Sequence, residues 1–487
     1  MKITSKFSAR RLIALAALAA LQQAGAQSIT QLTHQPPTGL GMPFLLTDGR
    51  VLIQAGNDVD WYTLTPDNTG SYINGTWTKV ASFPSAWNYA PDAPASQILA
   101  DGRVIVQGGE YNFGSFLLTP KGAVYDPVKD KWTKLPPPPG WQQIGDSPSA
   151  VLPDGRYIVG RKLDEQMAAL DPATMTWTLL GTAGKSDFNS EEGWTLMPDG
   201  SILTADVLNA PNSERYLPDQ GAWISDGSTI VDLHSPTQIQ GCLPYPGGCY
   251  YPPGEIGPQI LRPDGTVVVF GSTNGDHPAH TSVYHPGALP TDPGTWVVGP
   301  DFPGTDNAGD SPAVLLPNGN ALVLGVNGRL YEFDGSALKP TLAAPFSLLV
   351  TLPTGEVLTI GSRISVYKST GKPQAGWAPT ISKVKSKLTR GKTYTIAGTQ
   401  FNGLSQAAAF GDEYELNTNF PLVRITNTGT GHVIYARTHD HSTMGVATGS
   451  TPVSTFFDVP AAAEKGASTI EVVANGIASK AENVTIK

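Results

Sequence analysis

The sequence predicts an all-β protein, a seven-bladed propeller followed by an immunoglobulin-like β-sandwich. Three observations predict it: a Gly-centred turn phrase that recurs seven times, a Trp that recurs late in the repeats, and a change of composition after about Pro379.

The turn phrase reads Thr47-Asp48-Gly49, Ala100-Asp101-Gly102, Pro153-Asp154-Gly155, Pro198-Asp199-Gly200, Pro263-Asp264-Gly265, Pro317-Asn318-Gly319 and Pro353-Thr354-Gly355. Apolar β-runs such as Val51-Leu52-Ile53 and Val267-Val268-Val269 follow at once. Pro presets one turn position and Asp or Asn bonds the local backbone. Gly takes the left-handed conformation that side chains resist, so each phrase is a tight hairpin. Successive glycines lie 53, 53, 45, 65, 54 and 36 residues apart. Self-similarity at about 40–50 residues, built of strands only, is that of a kelch-like propeller.

Trp77, Trp132, Trp177, Trp223 and Trp296 occupy corresponding late positions and are read as packing between neighbouring sheets. An open ring would leave exposed strand edges. The last repeat, 346–377, is short, so the orphan strand at 28–34 is predicted to complete it. Beyond 379, strands are expected at 422–426, 432–438, 454–459 and 469–474. The expected boundaries are 1–26 for an export signal, 27–378 for the propeller and 379–487 for the immunoglobulin-like domain.

The signal reading rests on Lys2, Lys6, Arg10 and Arg11, an apolar stretch at 12–21, and the small residues Ala24-Gly25-Ala26 before the expected cut. About ten apolar residues are too few to span a bilayer. Leu12-Ile13-Ala14 departs from the twin-arginine pattern, which leaves the general export route and a periplasmic or secreted protein. Removing the four basic residues takes the formal charge from -9 to -13. An acidic chain without a basic patch is a poor partner for nucleic acid or anionic membranes. A monomer is expected. Cys242 and Cys249, the only cysteines, lie in one Gly/Pro loop and are expected to pair with each other.

The hairpin glycines also serve as a ruler. Counting back nine or ten residues from each reaches the entrance of the innermost strand, where Asp92, Asp146, Glu191, Glu255 and Asp310 stand in repeats two to six. In repeats one and seven the position is small or apolar, near Gly39 and at Phe346. Carboxylates converging on one mouth of the channel repel and raise one another's pKa unless a cation or donors compensate. They either lock blade to blade, or hold a divalent cation such as calcium, or grip hydroxyls and exchange protons.

The loops between second and third strands share that face and carry Glu110, Arg161, Lys162, His277, His280 and Arg329. Trp87, Tyr89 and Trp141 in the blade-entry loops are candidates to stack on sugar rings. His280 and His277 form a His-x-x-His pair, a weak metal candidate; His280, Asp146 and Asp310 are the candidate proton carriers. His439 and His441 would face the same side of a strand, adequate geometry for a metal. Their neighbours favour a domain–domain contact instead.

This layout resembles galactose oxidase and glyoxal oxidase. It is also similar to exported bacterial kelch-repeat proteins that share Phe410-Gly-Asp, Asn419-Phe-Pro-Leu-Val-Arg-Ile425 and Thr438-His-Asp-His-Ser-Thr. The oxidase resemblance implies a copper-binding His on a hairpin reaching up the channel, but the comparable stretch 410–418 has none, and Tyr414 or Glu415 stands nearest. It also implies a Tyr-His pair, present as Tyr284-His285 at what reads as a blade turn, and a Cys–Tyr cross-link that the paired cysteines disfavour. The residues therefore point to a funnel for a carbohydrate-like or other small polar ligand, lined by Asp92, Asp146, Glu191, Glu255 and Asp310 with Glu110, Arg161, His277, His280 and Arg329. Any catalysis is expected to be hydrolase or lyase chemistry. The alternatives are a non-enzymatic recognition or adhesion module and a copper oxidase with altered ligands.

Overall fold

The computed structural model describes residues 26–237, 239–245, 247–345, 348–409 and 416–487. Seven antiparallel sheets of four propeller strands each form the ring. Their innermost strands, in blade order, are Leu40–Leu45, Ala95–Ile98, Ser149–Val151, Thr195–Leu196, Gln259–Leu261, Ala313–Leu315 and Leu348–Thr351. Each hairpin Gly has φ between +79° and +89°. Its N–H bonds back to the carbonyl three residues earlier, as in Gly49 to Leu46 at 2.9 Å. The Asp or Asn of the phrase accepts the N–H just beyond the Gly, as Asp48 does from Arg50 at 3.1 Å and Asn318 from Asn320 at 3.0 Å. The local turn chemistry thus sets the register of each inner strand pair.

The recurring Trp residues tie blades together. Trp77, Trp132 and Trp177 donate their indole N–H to the carbonyls of His34, Ala81 and Pro136, at 2.9, 2.9 and 2.8 Å, in the preceding wall. Trp132 packs on Trp61 and Phe83, and Trp223 on Trp194. The ring closes where Ser28–Gln31 pairs antiparallel with Ile364–Lys368 as the fourth strand of blade 7. The long spacing between blades 4 and 5 accommodates an insertion. There Leu243–Tyr245 and Gly248–Tyr250 form a hairpin stapled by the Cys242–Cys249 disulfide.

From Thr380–Lys383 to Glu482–Ile486 the chain forms one curled sheet around its own apolar core, with Ile396, Val423, Phe457 and Val472 buried at its centre. This sheet covers the hairpin face of the propeller. The N–H groups of Thr438, His441 and Met444 bond the carbonyls of Thr47, Ala100 and Pro153, each at 3.1 Å. Arg437 donates to Asp101 O at 2.7 Å. Tyr435 lies over Gly49, where an added Cβ would come within 2.6 Å of its ring. The 437–445 phrase is therefore a contact between the C-terminal sheet and the propeller hairpins.

His439 and His441 do not share a face. The strand Val433–His439 ends there, and Asp440 at φ +51° turns the chain. His441 is buried against Phe420, with its pKa pushed down to about 3 by burial, while His439 stacks on the exposed Phe456. A two-histidine metal site is not formed by this pair.

A segment of the C-terminal part of the chain also enters the channel. Ala408–Ala409 pairs with Ala313 and Val314 of blade 6. The Gln406 side-chain carbonyl accepts Leu196 N–H at 2.8 Å, and Asn417 Oδ1 accepts Ile98 N–H at 2.7 Å. These contacts satisfy innermost backbone groups that no further propeller strand could reach. Phe346, Phe410, Tyr414 and Glu415, named in the sequence reading, lie outside the described residues, as do positions 1–25 of the expected signal. Among the described residues no helix is long and apolar enough to cross a membrane.

Candidate functional site

With the hairpin face capped, the opposite mouth of the channel is the candidate site. Asp92, Asp146, Glu191, Glu255 and Asp310 each stand three or four residues ahead of an innermost strand. Between Asp146 and Glu191 stands Lys162, carried by the turn that follows Tyr157–Gly160 in blade 3. Its Nζ lies 2.5 Å from Asp146, in contact with Glu191, and 3.9 Å from Glu110. The ammonium is fully enclosed, and Asp146 with it. The insertion hairpin supplies Tyr250, whose ring centroid lies 5.0 Å from Lys162 Nζ. Tyr250 donates its hydroxyl to Glu191 at 2.6 Å and sits 3.0 Å from Ser190 Oγ. Tyr250 also stacks on Phe116, at 6.3 Å between centroids, from a ribbon that pairs Tyr111–Asn112 with Ser115–Phe116.

The charges form two tiers. In the lower tier, burial works against the Lys162 ammonium, but Asp146 and Glu191 beside it hold its pKa well above the ordinary lysine value. The internal cation that compensates the ring is therefore this lysine. In the upper tier, Glu110 and Glu255 are half-buried, and Asp310 is open to the water of the funnel although protein walls it on most sides. Burial, with Lys162 opposing and Glu191 and Asp310 adding repulsion, pushes Glu110 up to about 7. Burial, Glu191 and Asp310 push Glu255 up to about 12. Glu255 and Asp310 hydrogen-bond to each other, and burial raises Asp310 as well. Two touching carboxyls cannot both ionise in such a place, so the pair shares a proton.

The other expected residues are placed differently. Asp92 pairs through its backbone with Tyr111 in the ribbon at the rim. Arg161 binds Asp164 and lies over Trp141 instead of turning into the ring. Arg329 is exposed at the start of the third strand of blade 6, near Thr341 O. His277 and His280 stack on each other, 5.6 Å between centroids. His277 Nε2 contacts His234 O at 2.9 Å, and His280 Nδ1 contacts Asp301 at 2.7 Å. No described contact joins either histidine to the Lys162 cluster. Tyr89 and Trp141 are core residues, and Trp87 is half-buried under Lys134, so none is a free stacking platform. Tyr250 was the residue that the repeat ruler could not find, because it lies in an insertion outside the period. The signal for it was the disulfide-stapled loop in the longest inter-glycine gap.

No family model matches the chain. A stretch of 131 residues is 34% identical to the Kelch-like protein terF of Aspergillus terreus, covering 26% of this chain and 26% of that protein. The chain thus matches about a quarter of the length of this curated relative. Among solved structures, a fungal alcohol oxidase of the AA5 family in complex with copper superposes with a TM-score of 0.53 at 15% identity, covering 96% of this chain and all of that one. The architecture is kelch-like and galactose oxidase-like. Virginiamycin B lyase of Staphylococcus aureus covers 70% of the chain at 12% identity with a TM-score of 0.46.

The residues present do not fit the copper centre that such an architecture implies. Tyr284 donates its hydroxyl to Asp226 at 2.6 Å within the propeller wall, and the two cysteines bind each other. The described groups at the funnel are carboxylates, Lys162, Tyr250 and Ser190, without imidazole or thiolate, a set suited to hydroxyls and protons rather than copper.

Proposed function

We propose that this is an exported protein whose funnel binds a carbohydrate-like, polyhydroxylated ligand and transforms it by acid–base chemistry. The observation that carries the reading is the convergence of Glu110, Asp146, Glu191, Glu255 and Asp310 around the enclosed Lys162, with the upper three open to the funnel. Lys162 with Asp146 and Glu191 forms a rigid charged floor that holds the upper carboxyls in place. Glu110, with its pKa near 7, is suited to take up or release a proton at neutral pH. The protonated Glu255–Asp310 pair is a donor for a ligand oxygen. Exposed Tyr111 and Phe113 on the adjoining ribbon offer apolar faces for sugar rings. Hydrolysis and elimination both use such an acid and base, and the choice between them rests with the ligand.

The test is a thermal-shift and calorimetric screen of neutral sugars, uronates and their oligomers, repeated with Glu110→Gln and Asp310→Asn. A ligand that binds the native protein should lose at least tenfold in affinity in Asp310→Asn. Its turnover should lose the limb of the pH profile near 7 in Glu110→Gln. Binding unchanged in both variants would remove the funnel as the site, and binding without turnover would make the protein a recognition module.

A further inference from the structure

A second charged cluster, built around Lys185 instead of Lys162, lies in blade 4, and its Glu192 is the residue after Glu191 in the chain. Asp187 and Glu192 belong to the loop that enters the blade, and Asp206 follows its second strand, Ile202–Ala205. Lys185 and Glu214 complete the group. All four carboxylates are at most 2% exposed, and the Lys185 side chain is fully enclosed. Four acids against one ammonium leave a formal charge of -3 among these buried groups.

Most of their oxygens have partners. Lys185 Nζ bonds Glu192 Oε1 and Glu214 Oε2, each at 2.8 Å. Glu214 Oε1 accepts the N–H and hydroxyl of Ser186. Asp187 accepts the N–H groups of Phe188, Val207 and Leu208 at 2.8–2.9 Å. Three buried oxygens remain without a donor: Glu192 Oε2 and both oxygens of Asp206. An unpaired buried carboxylate is costly, and three such atoms aimed into one cluster call for a shared compensating charge.

The geometry suits a particular kind of ion. One oxygen each from Asp187, Glu192 and Asp206 lies within 4.8 Å of the others. Calcium accepts carboxylates as its ligands with flexible geometry, whereas magnesium dehydrates reluctantly and usually keeps several waters, for which carboxylates at most 2% exposed leave little access. The donors are oxygens only, which selects a hard cation over zinc or copper.

We propose that Asp187, Glu192 and Asp206 form a structural site for a divalent cation of the calcium class, which ties the entry loop of blade 4 to the turn after its second strand. Glu192 then bridges Lys185 and the ion, and Asp206 is the principal ligand. The funnel reading is independent of this site.

The full chain, dialysed against chelator, is titrated with terbium as the probe, because Trp223 lies 4.6 Å from Lys185 Nζ and can sensitise terbium emission. Calcium should quench that emission by displacement and raise Tm by several degrees, with one ion per chain. Asp206→Asn, which should fold because it removes an unpaired charge, should weaken terbium and calcium binding at least tenfold. In chelator its Tm should equal or exceed that of the native chain, and in calcium the order should reverse. Loss of binding in Asp310→Asn but not in Asp206→Asn would place the ion at the funnel and overturn the proposal. So would the absence of stoichiometric binding by the native chain, which would mean that the acids are held neutral by protons.

Discussion

Replacing Lys162 by Met tests the central reading most directly. The substitution keeps an unbranched side chain one heavy atom shorter but removes the cation from Asp146, Glu191 and Glu110. Breaking a buried ion cluster by removing one partner costs about 3–5 kcal/mol, because the remaining charges stay buried without compensation. At about 2 °C per kcal/mol for a large domain, the melting temperature at neutral pH should fall by about 6–10 °C. The pH dependence identifies the cause. In the native chain Lys162 titrates above its unfolded value, so its contribution is constant from pH 5 to 8 and is lost only at strongly alkaline pH. In the variant, Glu110, Glu255 and Asp310, already raised, lose the opposing charge of Lys162 and are held further above their unfolded values of about 4. A carboxyl raised in the folded state stabilises at acid pH and loses that stability as the pH rises. The deficit should therefore widen from pH 5 to pH 8, by at most about 1.4 kcal/mol per pH unit for each carboxyl. Differential scanning calorimetry across that range, with Lys162→Met/Asp146→Asn as the paired variant, is the assay. The double variant should recover at least half of the loss. A deficit equal at pH 5 and pH 8, or a Tm change below about 2 °C, would refute the claim that Lys162 compensates the ring.

Further predictions follow from other contacts. Glu110, raised to about 7, stabilises the native chain at acid pH and loses that contribution between about pH 4.5 and 7; Glu110→Gln should flatten this part of the stability profile, read by chemical denaturation at each pH. Tyr250→Phe removes the hydroxyl that bonds Glu191 and should cost about 1.5–3 kcal/mol, the range for a hydrogen bond to a charged group, visible as a lower urea midpoint. The Cys242→Ser/Cys249→Ser variant frees the same hairpin, and the loop-closure term for eight residues is about 2.5 kcal/mol; hydrogen exchange should rise first at 242–250. Gly49→Ala combines a left-handed backbone at φ +79° with a Cβ driven into Tyr435, so it should destabilise by about 2 kcal/mol or more and loosen the contact between the C-terminal sheet and the propeller hairpins to proteolysis.

The turn phrases were legible because their chemistry is local: seven glycines predicted left-handed, and seven at φ near +80°. Closure of blade 7 by Ser28–Gln31 was legible from an orphan strand and a short last repeat, since an unpaired edge requires a partner. The strands expected at 422–426 and 432–438 appear as Leu422–Asn427 and Val433–His439, displaced by a residue at most. Sequence reasoning failed where one residue redirects the chain. Period-2 alternation placed His439 and His441 together, but Asp440 adopts a turn conformation that alternation cannot anticipate.

The candidate site was half legible. The period predicted a ring of five carboxylates, and Asp146, Glu191, Glu255 and Asp310 of that ring converge with Glu110, while Asp92 stays on the rim ribbon. What the repeat by itself determined is the part fixed by translation along the chain: blade number, hairpin face, and the level at which an acidic position recurs. Only the tertiary structure decided which charge stands between Asp146 and Glu191, which acids retain protons and which histidines turn outward. Lys162 meets Glu191 across 29 residues and Tyr250 meets it across 59. Such contacts depend on how blades and an insertion pack around the axis, and pKa depends on that burial and proximity. A repeat aligns equivalent backbones, but the chemistry arises where the blades differ.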